Sequence, residues 1–242
     1  MTPTAPTLWE DEFILAVDKP AGRTVIPGRI DVPEACLRRV LERERRERLW
    51  VVHRLDRDTS GVLLFAKSAE AHKALNGAFT RHEVRKSYLA VTRGAPAEKR
   101  GEIATPLHTA RRNKMRPAVA GEKGSIWAES EYLVLRRWRC PSATVALIEV
   151  RPRTGRQHQI RVHLRSIGAP LLLDTLYGSA EPIRAGDLGL PGNDVLCSRL
   201  TLHARSIEFP HPKTKKRIRV EAAVPADLAG MIAALDRAAA PS

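Results

Sequence analysis

Residues 49–66 read LWVVHRLDRDTSGVLLFA and combine two apolar runs with a polar segment between them. The runs, 49–52 and 62–66, have the length and the β-forming residues of buried strands. The polar segment, 53–61, holds two acidic, three basic and two hydroxyl side chains, a density that packing alone does not explain. The pattern therefore predicts a loop between two buried strands, where a rigid scaffold would position reactive groups.

The whole chain is basic and has the composition of a globular protein. Its 242 residues include 41 Lys and Arg against 27 Asp and Glu, which gives a net charge of +14 spread along the sequence. A hydrophobic content of 43% excludes disorder, and the length suits one large domain or two small ones. The charge favours a polyanionic partner, although a basic protein without one is an open alternative. Residues 111–124 are predicted as an exposed basic loop that either touches a phosphate backbone or has no function.

Cysteine spacing and hydropathy indicate a soluble, cytoplasmic protein. Cys36, Cys140 and Cys197 are isolated from one another, which argues against a disulfide framework or a zinc module and fits a reducing compartment. No apolar run approaches the roughly 20 residues that cross a bilayer, and residues 1–7 lack the pattern of a signal peptide. We therefore expect no membrane partner.

Strand signals outnumber helix signals along the chain. Helices are predicted from Asp31, over residues 69–79, and from Asp227 as a capping residue, and short apolar runs typical of strands recur between them. The strands do not alternate strictly with helices, as they would in a parallel α/β sheet. The expected fold is therefore α+β, with a mixed, largely antiparallel β-sheet and flanking helices.

A second polar stretch, residues 151–164, reads RPRTGRQHQIRVHL. Thr154 and Gln157, three residues apart, resemble a capping box at the start of a helix. Arg153 and Arg156 would then lie at or just before the positive end of that helix. The sequence therefore predicts a second region that favours anions.

The strand predicted at residues 86–91 would present alternate side chains to opposite faces. Tyr88 would share a face with Lys86, whereas Leu89 and Val91 would point to the other face. We therefore expect Tyr88 to lie among polar side chains, away from the aliphatic face.

Cofactor and metal sites do not fit the sequence. Gly186-x-x-Gly189-x-x-Gly192 has the wrong spacing for a dinucleotide-binding loop, and there is no phosphate-binding Gly-x-x-x-x-Gly-Lys. His158 and His163 are five residues apart and so do not share a helix face, which argues against a metal pair. We therefore expect neither a cofactor nor a metal.

The candidate that is left is a carboxylate beside arginines. A neighbouring arginine would keep Asp56 ionised, so that its carboxylate can act as a nucleophile at a sugar or base carbon, or as a general base. A glycosidase with Asp58 as its second carboxylate is the competing enzyme class. Aromatic residues make up only 5% of the chain, which disfavours a sugar-binding platform, and the positive charge suits RNA better than a neutral glycan.

Five segments follow one another along the chain: 18–22 (DKPAG), 53–61 (HRLDRDTSG), 86–90 (KSYLA), 153–163 (RTGRQHQIRVH), and 202–204 (LHA) with 209–212 (FPHP). Together, and in this order, they resemble the RluA family of RNA pseudouridine synthases. The resemblance covers the chain from about residue 11 to about residue 235. Segments 53–61 and 153–163 are highly specific, and a chance match to both is very improbable.

The resemblance implies an isomerase that detaches uracil from C1′ through N1 and reattaches it through C5, without a cofactor or metal. Asp56 would be the catalytic residue that attacks the uridine, and Arg161 would be the basic partner of its carboxylate. Tyr88 would pack on the uracil or remove a sugar proton, and Arg54 would enter the duplex space that the flipped uridine leaves. The other residues expected to contact RNA are Lys19, Arg57, Thr59, Lys86, Arg153, Arg156, Gln157 and His158.

The resemblance also carries expectations about organisation and partner. Residues 1–10 would be a flexible N-terminus, 11–237 the pseudouridine synthase catalytic domain, and 238–242 a frayed C-terminus. The strand signal from Phe13 leaves no room for the S4-like domain of some members, so a monomer would select a tRNA or rRNA stem-loop through its catalytic domain. Leu173 stands where the family commonly has Gly, a departure that concerns loop shape. A catalytically silent RNA-binding or chaperone protein is the alternative from another class.

Overall fold

The computed structural model describes residues 5–27, 33–111, 114–141, 143–178 and 181–239. Two short 3₁₀ turns, Pro33–Ala35 and Gly186–Leu188, accompany its helices and strands. The elements up to residue 109 are β1 (Thr7–Glu10), β2 (Ile14–Lys19), α1 (Leu37–Arg45), β3 (Trp50–Val51), β4 (Ser60–Ala66), α2 (Ala69–Thr80), β5 (Arg85–Arg93), β6 (Arg100–Ala104) and β7 (Leu107–Thr109). The later elements are β8 (Met115–Pro117), β9 (Glu129–Arg139), β10 (Thr144–Pro152), α3 (Gln159–Ser166), β11 (Ile183–Arg184), β12 (Val195–Cys197), β13 (Leu202–Pro210), β14 (Arg217–Glu221) and α4 (Ala226–Ala239).

The chain divides into two compact units. Unit 1 comprises the described residues up to Lys86 together with His203–Ala223, and unit 2 comprises Ser87–Leu202 together with the described residues from Val224 on. Antiparallel strand pairs predominate in both units, whereas β4 and β13 in unit 1 pair in parallel. The expected α+β fold with a mixed, largely antiparallel sheet is therefore confirmed.

Strand β4 is the centre of unit 1. All seven of its residues are buried, and it pairs with β2 along one edge and with β13 and β3 along the other. Gly61 makes the close approach to β13 possible, because a Cβ at this position would lie 2.1 Å from the carbonyl oxygen of Ala204. The φ angle of Gly61 is +111°, a backbone conformation that residues with a side chain rarely adopt. The polar loop that precedes β4 is thereby tied to the middle of a sheet.

The helices of unit 1 confirm one prediction and shift another. Helix α2 was expected over residues 69–79 and runs over Ala69–Thr80, with the Ser68 hydroxyl accepting a hydrogen bond from the Ala71 amide at 3.1 Å. Its residues Leu75 and Ala78 are buried against the apolar side chains of β4 and β13. Helix α1 begins at Leu37, and the expected cap Asp31 lies outside the described residues.

Unit 2 is built on the antiparallel sheet β5-β10-β9-β6, with the two-stranded sheets β7-β8 and β11-β12 beside it. Helix α4 buries Leu228, Met231 and Leu235 in an apolar cluster of this unit, and Ile232 packs against that cluster. Asp227 was expected as the cap of this helix but lies inside its first turn, since α4 already begins at Ala226.

The structure corrects the expected domain ends. Strand β1, Thr7–Glu10, pairs with β2, so the prediction of a flexible segment over residues 1–10 is wrong for residues 7–10. At the other end α4 continues to Ala239, past the expected start of fraying at residue 238. No helix among the described residues is long and apolar enough to span a membrane.

Candidate active site

Asp56 lies on a tight turn in the loop between β3 and β4. The amide of Thr59 donates a hydrogen bond to the Asp56 carbonyl at 3.2 Å, which closes a four-residue turn. Leu55, 7% exposed, anchors the loop in the interior, whereas Arg54 and Arg57 are exposed. The loop therefore carries a half-buried carboxylate with an exposed arginine on each side of it in the sequence.

A buried ammonium group holds this loop from below. Lys19 is fully buried, and its Nζ donates to the carbonyl oxygens of Pro20 at 2.8 Å, Arg23 at 2.7 Å and Arg57 at 2.8 Å. The expected contact of Lys19 with RNA is therefore wrong, because its ammonium group is enclosed by the protein and binds backbone carbonyl oxygens there. Lys19 instead joins the turn that follows β2 to the loop of Asp56.

His53 holds the start of the same loop. Its Nε2 accepts a hydrogen bond from the Leu64 amide at 3.0 Å, and its ring centroid lies 5.3 Å from that of Phe79. Burial lowers the pKa of His53 to about 3, and the positive charge of Lys86 contributes. The ring is therefore neutral at physiological pH, with its proton on Nδ1. Burial also lowers the pKa of Lys86 to about 8.

The end of the loop is tied to β13 by a buried polar pair. The Ser60 hydroxyl lies 3.0 Å from Nδ1 of His203, and both residues are almost fully buried. Thr59 is only 2% exposed, and its hydroxyl has no hydrogen-bond partner among the described residues. The expected RNA contact of Thr59 is therefore wrong for this conformation, because the side chain is enclosed by the protein.

In unit 2, helix α3 begins later than the sequence predicts. Its first residue is Gln159, and the N-cap His158 has a φ angle of 53° and makes no side-chain cap. The Thr154 hydroxyl instead donates to Gln159 Oε1 at 2.7 Å and accepts from the Glu129 amide at 3.0 Å. The predicted capping box of Thr154 and Gln157 is therefore wrong, because a long-range strand contact takes the threonine hydroxyl.

A buried chain of side chains fixes the face of α3 that meets β9. Gln159 Nε2 donates to the Ser130 hydroxyl at 2.9 Å, and that hydroxyl lies 3.0 Å from Nδ1 of His163. His163 Nε2 in turn lies 3.1 Å from the Thr105 carbonyl, so Nε2 carries the proton and Nδ1 accepts from Ser130. Burial lowers the pKa of His163, which is consistent with a neutral, structural imidazole.

Arg161 is held by a carboxylate that the sequence reasoning did not assign. Its Nε lies 2.9 Å from Asp174 Oδ2 and its Nη2 lies 2.7 Å from Asp174 Oδ1, a two-point contact between side chains that are 8% and 2% exposed. Asp174 Oδ1 also accepts from the amides of Leu176 and Tyr177, both at 3.0 Å. The sequence signal nearest to this partner is Leu173, the departure from the family's usual glycine, which directly precedes Asp174.

The residue before Asp174 accounts for the departure from the family's glycine. Leu173 is 1% exposed and belongs to the same apolar cluster as Leu172 and Leu228. The larger side chain at this position therefore fills the core of unit 2.

His158 completes a short relay beside Arg161. The Met115 amide donates to the Tyr177 hydroxyl at 2.7 Å, and that hydroxyl lies 2.7 Å from Nδ1 of His158. The hydroxyl thus accepts from a backbone amide and contacts His158, while the Arg161 guanidinium carbon lies 5.0 Å from the centre of the Tyr177 ring. Half-buried, His158 has its Nδ1 occupied inside the protein.

The exposed cations before α3 differ in what surrounds them. Arg153 contacts Glu102 at 3.2 Å and Glu129 at 2.5 Å, and it also pairs with Glu131. Three carboxylates around one guanidinium make this spot acidic, contrary to the expected preference for anions. Arg156 and Gln157 are exposed, and Arg156 donates through Nε to the Trp127 carbonyl at 3.0 Å.

Tyr88 lies on β5 opposite Val150 and is half-buried. The predicted alternation is confirmed, because Leu89 and Val91 pack into a different apolar cluster from the one that Tyr88 contacts. The sequence did not predict the apolar cluster that Tyr88 also contacts, which includes Ile148, Ile160 and Leu164 from β10 and α3.

The expected site residues are divided between the two units. Among the described residues, no group of three His, Cys, Asp or Glu side chains is arranged to hold a metal ion. Unit 1 carries Lys19, Arg54, Asp56, Arg57, Thr59 and Lys86, and unit 2 carries Tyr88, Arg153, Arg156, Gln157, His158 and Arg161.

Comparison with known proteins identifies the family. The profile described as RNA pseudouridylate synthase matches residues 13–166, a range that includes Asp56, Tyr88 and Arg161. The chain is 35% identical to tRNA pseudouridine synthase C of Haemophilus ducreyi over 223 residues, which cover 89% of each protein. It is 37% identical to ribosomal large subunit pseudouridine synthase D of Pseudomonas aeruginosa over 237 residues, 94% of this chain and 71% of that protein.

A solved structure agrees with the sequence relatives. The structure of human RNA pseudouridylate synthase domain containing 4 superposes with a TM-score of 0.74 at 25% identity, covering 96% of this chain and 93% of that one. The match extends beyond the profile into the C-terminal strands and helix. The chain belongs to the RluA family of RNA pseudouridine synthases and is an isomerase that converts uridine to pseudouridine in RNA.

Proposed function

We propose that this enzyme isomerises one or more uridines in structured tRNA or rRNA, and that Asp56 is its nucleophile. The observation that carries the proposal is the setting of Asp56, a half-buried carboxylate on a closed turn whose backbone is held by Lys19 and His53. A catalytic group gains most from such support, because misplacement by about 1 Å can reduce a rate roughly a hundredfold. The named relatives act on tRNA and on large-subunit rRNA, which supports both RNAs as candidate substrates.

The proposed reaction balances without a redox partner. The Asp56 carboxylate adds to C1′ or to a ring carbon of the uridine, and the bond between N1 and C1′ breaks. Uracil then turns so that C5 bonds to C1′, the bond to Asp56 is released, C5 loses its proton, and N1 gains one. Every bond that forms replaces one that breaks, so neither an oxidant nor an energy source is needed.

Two residues of unit 2 are proposed to assist. Arg161 would serve as the basic partner of the reacting carboxylate, and its two-point contact with Asp174 would keep the guanidinium from turning away. Tyr88 would either pack on the uracil or remove a sugar proton. Its packing against an apolar cluster supports the first of these roles, because the protein holds the ring in a fixed position for contact with the uracil.

RNA binding is proposed to rest on the exposed cations. Arg54 would occupy the space that the flipped uridine leaves. Flipping the uridine costs a few kcal/mol, which contacts between basic side chains and the phosphates offset. Arg57 and Arg156 are exposed and would contact the backbone of a stem-loop. We propose that the protein acts as a monomer on such a stem-loop.

The test is release of tritium from RNA labelled at uracil C5, because that hydrogen is lost only when C5 bonds to C1′. Unmodified tRNA and rRNA are assayed separately, so that each RNA is an independent candidate. Asp56→Asn is expected to stop release while RNA binding persists. Asp58→Asn, two residues away on the same loop, is the matched control and should release label at the parent rate.

Each outcome is informative. Normal turnover by Asp56→Asn would remove Asp56 as the nucleophile. Salt-sensitive binding of both RNAs by the parent protein, without any release of label, would instead support a silent RNA-binding protein. Release that depends equally on both aspartates would point to a two-carboxylate mechanism.

A further inference from the structure

Trp127 is a large aromatic side chain that unit 2 holds at the surface. It is 52% exposed, next to Ile126, which is 44% exposed, and Ala128, which is fully buried. Trp138 of the same unit is only 3% exposed, so the fold does enclose a tryptophan where packing calls for it. The exposure of Trp127 therefore needs a separate explanation.

The backbone around Trp127 is fixed on both sides. Ile126 and Leu107 exchange two backbone hydrogen bonds of 2.8 Å each, and the Thr105 amide donates to the Ala128 carbonyl at 3.1 Å. Arg156 donates through Nε to the carbonyl of Trp127 itself at 3.0 Å. An exposed ring on such an anchored backbone loses little conformational freedom when it binds a flat partner.

The turn before Trp127 is also ordered. Glu122 accepts from Arg116 Nη1 at 2.8 Å and from the Val119 amide at 3.0 Å. These contacts, with the one from Arg116 largest, lower the pKa of Glu122 to about 2, so the carboxylate stays ionised. Of the segment that the sequence predicted as an exposed basic loop, residues 115–117 form β8, and the ion pair of Arg116 and Glu122 closes the turn that follows.

The charge around Trp127 selects the kind of partner. Residues 107–127 carry five Lys or Arg and one acid, and that acid is already paired with Arg116. Arg156, which binds the Trp127 carbonyl, is exposed and belongs to the family segment 153–163. An exposed aromatic ring beside a guanidinium, in a segment with a net positive charge, fits single-stranded nucleic acid, in which bases stack on rings and phosphates contact cations.

We infer that Trp127 is a platform on which an unpaired base of the RNA substrate stacks. The inference rests on the proposed action on structured RNA and adds a residue that none of the family segments contains. Arg156 joins this platform to the segment that leads into α3, so that one rigid surface would present both an aromatic face and a cation to the RNA. The base would belong to a loop or bulge, because bases within a stem are already stacked.

The test measures RNA binding in the Asp56→Asn background, with an unmodified tRNA or rRNA that the wild-type enzyme converts. Trp127→Ala is expected to raise Kd about 5- to 150-fold, the range for loss of one stacked base. Trp127→Phe should recover most of the affinity, because it restores an aromatic face. Val119→Ala is the matched control, since Val119 is aliphatic, 68% exposed and in the same segment.

Salt dependence separates stacking from charge. The slope of log Kd against log salt should not change in Trp127→Ala, whereas Arg156→Gln should lower it by about one unit. RNA should also quench the fluorescence of the parent protein more than that of Trp127→Phe. Both readouts are insensitive to a uniform loss of folded protein, so partial unfolding of the alanine variant would not imitate the expected result.

Parent-like affinity of Trp127→Ala, or an equal loss in Val119→Ala, would overturn the inference. Loss of affinity with an altered salt slope and no recovery in Trp127→Phe would overturn it as well and would indicate a structural role. Failure of the proposed function looks different, because the wild-type enzyme would then release no tritium from either RNA. Conversion by the wild type together with unaffected binding by Trp127→Ala would leave the proposed function in place and remove only the platform.

Discussion

The loop of Asp56 in unit 1 and the region of α3 in unit 2 both carry predicted site residues, and each contains a buried cation that is held in a different way. In the loop region, Lys19 binds three backbone carbonyl oxygens. In the α3 region, Arg161 binds a side chain, the carboxylate of Asp174.

The difference shows that a buried polar residue in a motif can bind either backbone groups or another side chain. Backbone groups are present whatever the sequence, so the loop needs only one correct residue at each point of support. A pair of buried charges needs two correct residues, because loss of either one removes the charge that compensates the other. Substitutions in the α3 segment should therefore be more damaging to stability than comparable ones in the loop.

The largest effect is expected for Asp174→Ala. It removes the two-point contact of the Arg161 guanidinium, which is 8% exposed, and the carboxylate oxygen that accepts from two backbone amides. We expect the free energy of unfolding to fall by about 3–5 kcal/mol, as when one partner of a buried ion pair is removed. Urea denaturation followed by circular dichroism measures this value.

Thr175→Ala is the control for that variant, because Thr175 is the exposed neighbour of Asp174 in the chain. Its stability should lie within about 0.5 kcal/mol of the parent. A loss of less than about 1 kcal/mol in Asp174→Ala would show that the Arg161 charge finds another partner, and the contrast between the two regions would no longer hold.

The sequence predicted local structure well where a single period dominates. Helix α2, the alternation of Leu89 and Val91 with Tyr88, and the loop between β3 and β4 all follow from spacing along the chain. The apolar surroundings of Tyr88 could not be predicted this way, because they are supplied by residues about 60 to 75 positions later.

Tertiary partners also explain the incorrect site assignments. A lysine beside proline and glycine has the composition of an exposed turn, and nothing in the local sequence shows that three carbonyls enclose Lys19. Thr154 and Gln157 have the spacing of a cap, but the amide of Glu129, on a distant strand, competes for the hydroxyl. Asp174 follows Leu173, where the chain departs from the family's glycine, but nothing in the local sequence shows that it pairs with Arg161.

An intermediate effect is expected for Lys19→Met in the loop of unit 1. Methionine fills similar space but donates no hydrogen bond, so three carbonyl oxygens lose a charged donor. Removal of the buried charge itself offsets part of this loss, and we expect a decrease of about 2–3 kcal/mol in the free energy of unfolding.

Lys73→Met is the matched control, because Lys73 is exposed on α2 and the change in side chain is identical. The two variants should differ by at least about 1.5 kcal/mol in urea denaturation. If Lys19→Met were instead to lose RNA affinity with unchanged stability, Lys19 would be a contact to RNA after all.

The smallest effect is expected for His53, whose protonation should make the free energy of unfolding depend on pH. The pKa of His53 is lowered to about 3 in the folded protein, whereas an unfolded chain takes up the proton near its usual value of 6.5. Protons therefore bind the unfolded state preferentially between these values, so stability is complete above about 6.5 and falls as the pH decreases. One such group changes stability by at most about 1.4 kcal/mol for each pH unit.

His53→Gln should remove that part of the slope, because the glutamine oxygen can accept from the Leu64 amide but does not titrate. We expect the loss of stability between about pH 6.5 and 5 to shrink by about 1–2 kcal/mol relative to the parent. The carboxylates whose pKa is lowered, such as that of Asp11, act below this window and do not interfere. An unchanged slope would mean that His53 becomes protonated without cost, and the neutral imidazole would then not be what holds the loop to β4.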